Sequence, residues 1–168
     1  MNLKTMIRGA VWRVACLLPL NLLIGCAALR PTPTPIPQRW YVEPQAGHST
    51  LLVFLPGIRD DVEDFARRSF VDAVRERDLA ADMVAVDTHI GYFRAGTVTE
   101  RLREDVLLPA RQRGYDRLVM VGISLGGLGS LLTTEAHPQE VDGLILLAPF
   151  LGEREVIEEI AAAGGAAA

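Results

Sequence analysis

The sequence predicts an α/β domain in which a parallel sheet lies between helices. Two patterns of apolar residues carry this prediction. Short, continuously apolar segments recur through residues 41–168, and stretches with helical spacing of apolar residues separate them. Strands buried on both faces have unbroken apolar runs, and strands that alternate with helices form parallel sheets with right-handed crossovers. A chain of 168 residues, 49% of them apolar, is long enough for one such domain.

Four segments are predicted as buried strands, and the first of them ends at a Pro-Gly dipeptide, which is typical of turns. After that turn, apolar positions from Val62 onward share one helical face, which predicts a single helix ending near Leu79. Asp60 or Asp61 is expected to cap its first turn. The four strands are Leu51–Leu55, Met83–Val86, Leu118–Val121 and Leu144–Leu147.

Two further helices separate the later strands. Thr97 and Glu100 resemble a capping box that opens the first of them. Pro109 is expected to kink this helix, and Gly114 to stop it. The other helix is marked by the apolar residues Leu128, Leu131 and Leu132.

One short motif indicates a possible catalytic site. The run GISLG at residues 122–126 fits the pattern G-x-S-x-G and falls where the third strand ends and a helix begins. This turn is so tight that the residues two before and two after the serine must be small, and Gly122 and Gly126 occupy both positions. The turn would lift the Ser124 hydroxyl above the sheet edge, where a helix N-terminus favours negative charge.

The loop that closes the first strand adds a second element. Leu55–Ile58 resembles the oxyanion loop of α/β-hydrolases, with Pro56 where many members carry histidine. By strand order, loop and serine turn together, residues 48–160 resemble the α/β-hydrolase family. The resemblance implies hydrolysis of a small acyl ester through an acyl-serine intermediate, without a metal or an organic cofactor. The residues it implies are Ser124 as nucleophile, the N–H groups of Ile58 and Leu125 as oxyanion donors, and Gly122 and Gly126 as the elbow glycines.

Other readings of the same pattern stay open. A dinucleotide-binding or flavodoxin-like domain with an incidental serine is one, although no G-x-G-x-x-G follows the first strand. Thioester cleavage, peptide cleavage and acyl transfer occur on the same fold, and nothing in the sequence separates them from ester hydrolysis.

The histidines depart from the family pattern, which orders the triad as Ser, then Asp or Glu, then His. His137 follows Ser124 but lies beyond a helix, roughly 15 Å away at 1.5 Å per residue. His89 lies at the same sheet edge as Ser124, two strand spacings or roughly 10 Å away. We expect His89, Tyr92 and Phe93 to line a pocket beside the serine.

The catalytic acid and histidine are therefore expected to be missing from this sequence. One interpretation is a C-terminally truncated hydrolase that is inactive as it stands. The alternative is a non-catalytic, lipid-anchored binding or interaction module built on a partial hydrolase fold. The first is favoured because the last strand would otherwise be an apolar sheet edge without a neighbour.

Residues 1–25 are predicted as a lipoprotein signal peptide, because a basic start precedes an apolar run too short to span a bilayer. The run ends in Leu23–Cys26, which resembles the lipobox of bacterial lipoproteins. The resemblance implies a lipid on Cys26 that anchors the protein to a membrane of the cell envelope, on the periplasmic side. Ala27 slightly favours the outer membrane. A plain secretory signal is the alternative.

Residues 26–40 are predicted as an extended, proline-rich tether of roughly 25 Å between the lipid and a domain formed by residues 41–168. A proline-rich ligand for a partner domain is the alternative reading. The chain carries a formal net charge of -4 and no basic stripe, so nucleic acid is not expected as a partner.

Overall fold

The structure, a computed structural model, describes residues 30–43 and 47–152, together with Arg154, Ile157, Glu158 and Ala162. Cys26 and the signal peptide predicted over residues 1–25 lie outside the described residues. Among the helices of the described part, none is both long and apolar enough to cross a membrane.

A five-stranded sheet organises the described residues, with strand order β1-β3-β2-β4-β5. The strands from the second to the fifth pair in parallel, and the first pairs antiparallel with the third. All four predicted strands are confirmed, each within a residue or two of its predicted ends. The strands are β1 (Gln38–Tyr41), β2 (Thr50–Leu55), β3 (Ala81–Val86), β4 (Arg117–Ile123) and β5 (Gly143–Leu147).

Helices connect these strands and cover both faces of the sheet. Side chains alternate across β2, so that Leu51, Val53 and Leu55 pack in one core cluster with residues of the third to fifth helices. Phe54 packs in a second cluster with residues of the first two helices. The helices are α1 (Asp64–Arg67), α2 (Phe70–Arg75), α3 (Ile90–Arg94), α4 (Val98–Leu102), α5 (Leu108–Gln112) and α6 (Leu125–Ala136), with a π-helical turn over Arg103–Leu107.

The single helix predicted from Val62 to Leu79 is wrong, because two short helices replace it. The chain breaks at Ser69, whose φ of 59° lies in the left-handed region. In an unbroken helix, residues five apart point about 140° away from each other. The break instead brings Phe65 and Phe70 together, with ring centroids 4.8 Å and 6.5 Å from that of Phe54.

The second helical region begins at Thr97 and ends before Gly114, as predicted, but differs inside. The Thr97 side chain makes no capping hydrogen bond to α4. Pro109 lies in the first turn of α5, directly after the π-helical turn, where a missing N–H is tolerated. Gly114 has a φ of 93°, a left-handed conformation that glycine adopts without strain.

After the buried Leu125, helix α6 buries mainly small residues, and Leu128, Leu131 and Leu132 are only partly buried or exposed. Gly126, Gly129 and Ser130 are buried, whereas Leu132 is 36% exposed. A Cβ atom at Gly126 would lie 2.1 Å from the carbonyl oxygen of Leu55. The backbone of α6 therefore packs directly on β2, which only a face of small residues allows.

The proline-rich segment before β1 packs on the domain. Ile36 is 1% exposed and belongs to the core, and its N–H donates to Asp105 Oδ2 at 2.8 Å. The Pro33 carbonyl accepts the Tyr92 hydroxyl at 2.8 Å, and the Pro37 carbonyl accepts the Asp87 N–H at 2.9 Å. Residues 33–40 are thus part of the folded domain, and do not extend from it as the spacer predicted through residue 40.

Candidate active site

Ser124 occupies a strained turn between β4 and α6. Its φ of 50° and ψ of -111° lie in a region that residues other than glycine rarely adopt. The Ser124 N–H donates to the Leu147 carbonyl at 3.0 Å. The Ser124 carbonyl accepts the N–H groups of Gly127 and Phe150, each at 2.9 Å. The chain on both sides of the turn therefore holds the serine backbone in its unusual conformation.

The glycines on either side of Ser124 have no room for a side chain. A Cβ atom at Gly122 would lie 2.5 Å from the Gly126 carbonyl oxygen, and one at Gly126 would lie 2.1 Å from the Leu55 carbonyl oxygen. Both contacts are to backbone atoms, which cannot move aside as the end of a side chain can. The small residues that the sequence pattern requires are thus required by the packing as well.

The loop after β2 lies against the serine. A Cβ atom built on Gly57 would be 3.8 Å from the Ser124 Cβ. Within the described residues, no acceptor contacts the N–H of Ile58 or that of Leu125. Leu125 is the first residue of α6, and the first N–H groups of an α-helix have no acceptor within the helix. The loop and the start of α6 thus each offer an N–H donor that has no acceptor among the described residues, and N–H donors of this kind can stabilise an oxygen that gains negative charge.

Two charged residues support this loop, and the sequence did not reveal that role. The Asp60 N–H donates to the Gly57 carbonyl at 3.1 Å, which closes a turn around Ile58. The Asp60 carboxylate accepts a 2.6 Å hydrogen bond from Arg68. Of the two residues predicted as a helix cap, Asp60 or Asp61, it is Asp61 that makes a contact of the capping type, because it accepts the Glu63 N–H at 2.8 Å.

The same ion-pair region contains Asp64, at the start of α1. A hydrogen bond from the Asp61 N–H lowers the pKa of the Asp64 carboxyl, and Arg67 and Arg68 lower it further. Both arginines lie within 3.5 Å of an Asp64 oxygen. The Asp64 carboxylate therefore stays ionised at neutral pH.

His89 and Tyr92 pack against each other at the start of α3. His89 is 6% exposed, and its Nδ1 accepts the Gly91 N–H at 3.1 Å, so its side chain caps the helix. Tyr92 is fully buried in the core, and its ring centroid is 4.8 Å from that of His89. In the described part of the chain, no side chain makes a hydrogen bond to the Ser124 hydroxyl.

The other two histidines lie away from the serine. His137 follows the last residue of α6, and its N–H donates to the Thr133 carbonyl. His48 lies just before β2 at the opposite edge of the sheet, with Nδ1 3.2 Å from an Asp82 oxygen. The placement of His137 agrees with the sequence prediction.

An open groove of about 440 Å³ runs between the α3–α4 region and the far half of α6. Phe93 contributes to its wall, whereas His89 and Tyr92 do not. The groove is lined by Phe93, Gly96, Val98, Thr99, Leu132, Glu135 and Ala136.

Comparison with known proteins agrees with this geometry. The family described as serine aminopeptidase, S33, matches residues 101–167. No protein of curated function matches the chain.

Solved structures match a larger part of the chain. A CIB-like hydrolase from Thermoplasma acidophilum is 24% identical, with a TM-score of 0.51 over 67% of this chain and 56% of that one. A lipase-esterase related protein from Clostridium acetobutylicum is 12% identical, with a TM-score of 0.52 over 77% and 54%. A monoacylglycerol lipase from Paleococcus ferrophilus is 14% identical, with a TM-score of 0.51 over 77% and 51%.

The fold is therefore that of the α/β-hydrolases, in part. The mostly parallel sheet, the helices on both faces and the serine turn after β4 all belong to it. The chain spans about half the length of the solved structures that it matches.

Proposed function

We propose that this protein is a serine hydrolase that cleaves carboxylic esters through an acyl intermediate on Ser124. In this proposal the N–H groups of Ile58 and Leu125 bind the oxyanion of the tetrahedral intermediate. The proposal also places the protein in the cell envelope, held to a membrane by a lipid on Cys26. The substrate is a small acyl ester.

The backbone of Ser124 is the observation that carries the catalytic part. Its strained conformation, at φ 50° and ψ -111°, is maintained by four backbone hydrogen bonds, the three described above and one from the Leu128 N–H to the Ser124 carbonyl. The glycines two residues to either side leave no room for a larger residue. Strain of this kind costs about 1–3 kcal/mol and persists at sites where the conformation serves a function. The two N–H donors beside the hydroxyl supply that function.

Turnover also requires a base that accepts the serine proton. His89 lies at the correct edge of the sheet, but its Nδ1 is occupied as the cap of α3. Removing the base of a triad costs on the order of 10⁶ in rate. The 168-residue chain is therefore expected to react only slowly on its own.

The test is labelling of the chain with a fluorophosphonate, with and without imidazole as an external base. We expect slow labelling at Ser124, acceleration by imidazole, and no labelling of Ser124→Ala. Ser130→Ala is the matched control, since Ser130 lies two turns further on with its hydroxyl bonded to the Gly126 carbonyl, and it should label normally.

Two other outcomes are informative. Absence of labelling even with imidazole would refute the hydrolase proposal and favour a non-catalytic binding module. Rapid labelling without imidazole would show that a base is already in place, and His89→Ala would then test whether His89 supplies it.

The match to a serine aminopeptidase family favours peptide cleavage as a second candidate. Comparing an acyl p-nitrophenyl ester with an amino-acyl p-nitroanilide, each in the presence of imidazole, separates the two. Preference for the anilide would replace ester hydrolysis by amide hydrolysis at the same serine.

The anchor is tested separately from catalysis. Cys26→Ser should abolish incorporation of labelled fatty acid and leave the precursor unprocessed. Cys16→Ser changes the other cysteine of the chain, within the predicted signal, and should leave labelling intact. Labelling that survives in Cys26→Ser would refute the anchor.

A further inference from the structure

A backbone hydrogen bond in the loop after β2 fixes the orientation of one particular peptide group. The Asp60 N–H donates to the Gly57 carbonyl at 3.1 Å. That carbonyl and the Ile58 N–H belong to the same peptide group, and in a planar trans peptide such as this one they point in opposite directions. The hydrogen bond from Asp60 therefore also sets the direction of the Ile58 N–H.

The side chain of Asp60 is held from outside the loop. Its Oδ1 accepts a hydrogen bond of 2.6 Å from Arg68, the residue directly after α1. Its Oδ2 lies against Gly57, because a Cβ atom built on that glycine would be only 3.0 Å away. Asp60 is thus held both at its N–H and at its carboxylate, and this limits how far the turn can move.

The helix that ends at this arginine is itself fixed on the sheet. Phe65 of α1 is 2% exposed and stacks on Phe54 of β2, with ring centroids 4.8 Å apart. The loop directly follows the same strand, and a Cβ atom on Gly57 would be 3.8 Å from the Ser124 Cβ. Arg68 therefore ties the loop to a helix whose position relative to the serine is set by core packing.

The neighbouring arginine offers a comparison within the same ion-pair region. Arg67 lies 3.1 Å from an Asp61 oxygen and 3.0 Å from an Asp64 oxygen, and in the described chain its ion pairs do not include Asp60. The side chains of Arg67 and Arg68 are 57% and 55% exposed. Exposed ion pairs contribute little to stability. The two arginines therefore differ mainly in whether they contact the loop.

We propose that the Asp60–Arg68 ion pair positions the Ile58 N–H for catalysis. Arg68 holds the Asp60 carboxylate, and the Asp60 N–H holds the Gly57 carbonyl. The peptide group between Gly57 and Ile58 then presents its N–H to the oxyanion that forms at Ser124. The inference rests on the proposed function and adds two positioning residues, which act through this peptide group and not by contact with the substrate.

A direct electrostatic role for Arg68 predicts a different result. A positive charge near the loop would stabilise the oxyanion by itself, and removal of the negative charge of Asp60 would then accelerate the reaction. In the positioning role, loss of either partner releases the turn, so Asp60→Asn and Arg68→Met both slow the reaction. The double variant should be no slower than either single variant, because each removes the same contact.

Labelling of Ser124 by a fluorophosphonate, with imidazole as the base, measures the effect on the 168-residue chain. We expect the rate at saturating probe to fall about tenfold in Arg68→Met, a part of the 10²–10³ that loss of a whole oxyanion donor typically costs. The half-saturating probe concentration should change less than about twofold, since the oxyanion contact forms in the transition state. Arg68→Lys should recover most of the rate, because lysine can also donate to Asp60.

Arg67→Met is the matched control, and its rate should stay within about twofold of the wild type, because exposed ion pairs contribute little. Urea midpoints of all variants should lie near that of the wild type. Equal rates in Arg68→Met and Arg67→Met, faster labelling of Asp60→Asn, or a urea midpoint that falls in step with the rate would overturn the positioning role while the proposed function stands. A wild-type chain that is not labelled at Ser124 would overturn the proposed function, and the inference with it.

Discussion

Polar groups at the two ends of the sheet differ in how far their hydrogen bonds are satisfied within the chain. At the carboxyl end, Ser124 is strained and the N–H groups of Ile58 and Leu125 have no acceptor among the described residues. At the amino end, Asp82 is 4% exposed and fully engaged. It accepts the Tyr115 hydroxyl at 2.6 Å and the Glu43 N–H at 3.1 Å, and His48 Nδ1 lies at 3.2 Å.

This comparison distinguishes polar groups that stabilise the fold, at the amino end, from polar groups that are open to a ligand, at the carboxyl end. A buried carboxylate is tolerated only with its hydrogen bonds satisfied, and the amino end meets that condition within the chain. At the carboxyl end, N–H donors that have no protein acceptor do not contribute to the stability of the folded state. In the proposed function they bind a substrate oxygen instead. Mutations at the two ends should therefore differ in what they change.

The largest effect is expected where the carboxyl-end turn meets the core. In Gly126→Ala the new Cβ would lie 2.1 Å from the Leu55 carbonyl oxygen, so that helix and strand must separate. We expect a loss of more than about 3 kcal/mol in the free energy of unfolding, or failure to fold. Gly143→Ala, whose Cβ would make an ordinary 3.6 Å contact with Val119, should change it by less than about 1 kcal/mol. Urea denaturation compares the two, and equal effects would contradict the packing argument.

The next effect belongs to the amino end. Tyr115→Phe removes the donor to Asp82 Oδ2 and leaves a buried carboxylate oxygen without it. The expected loss is about 1–3 kcal/mol in the free energy of unfolding, with no change in Ser124 labelling. Tyr41→Phe is the control, because its hydroxyl lies a long 3.5 Å from the Val62 carbonyl oxygen. An equal loss in the free energy of unfolding of Tyr41→Phe and Tyr115→Phe would show that the hydrogen bond to Asp82 is not the cause.

A smaller effect of opposite sign is expected at the serine itself. Glycine adopts the Ser124 conformation without strain, so Ser124→Gly should stabilise the protein by about 1 kcal/mol after the entropy cost of glycine. It should also abolish fluorophosphonate labelling. Ser124→Ala removes the hydroxyl but keeps the strain, and its thermal midpoint should stay near that of the wild type. If both variants were more stable than the wild type, the destabilisation would come from the Ser124 hydroxyl and not from the strained backbone.

The smallest effect at neutral pH comes from titration of the amino-end network. Burial, followed by the hydrogen bond to the Asp82 carboxylate, raises the pKa of the Tyr115 hydroxyl to about 12. A pKa raised in the folded state favours the protonated form. Its contribution is therefore complete below pH 10, the ordinary pKa of tyrosine, and is lost as the pH rises toward 12. Urea midpoints between pH 9 and 12 should fall more steeply in the wild type than in Tyr115→Phe, and parallel profiles would contradict this assignment.

The strands and the serine turn could be predicted because their signals are local. Leu51–Leu55 is an unbroken apolar run, and the strand observed there is the centre of the sheet. The pattern around Ser124 also carries its own geometry, since only glycine fits two residues to either side. Signals of this kind need no knowledge of the rest of the fold.

Other features could not be predicted, because their cause lies far along the chain. Ile36 lies among prolines that indicate an extended tether, but it packs in the core with residues far along the chain, and Asp105, 69 residues later, accepts its N–H. The break at Ser69 has no local signal and follows from two phenylalanines that pack on Phe54.

The sequence by itself determined the order of the strands, the place of the serine turn and the small residues around it. These follow from periodicity and backbone sterics over a few neighbouring residues. Only the tertiary structure decided which edge of the sheet receives the N-terminal segment, and that the glycine and serine face of α6 packs on β2. Both depend on the register of strands and on the closest distance between backbones, which are set when distant segments pack and are not encoded in any one of them.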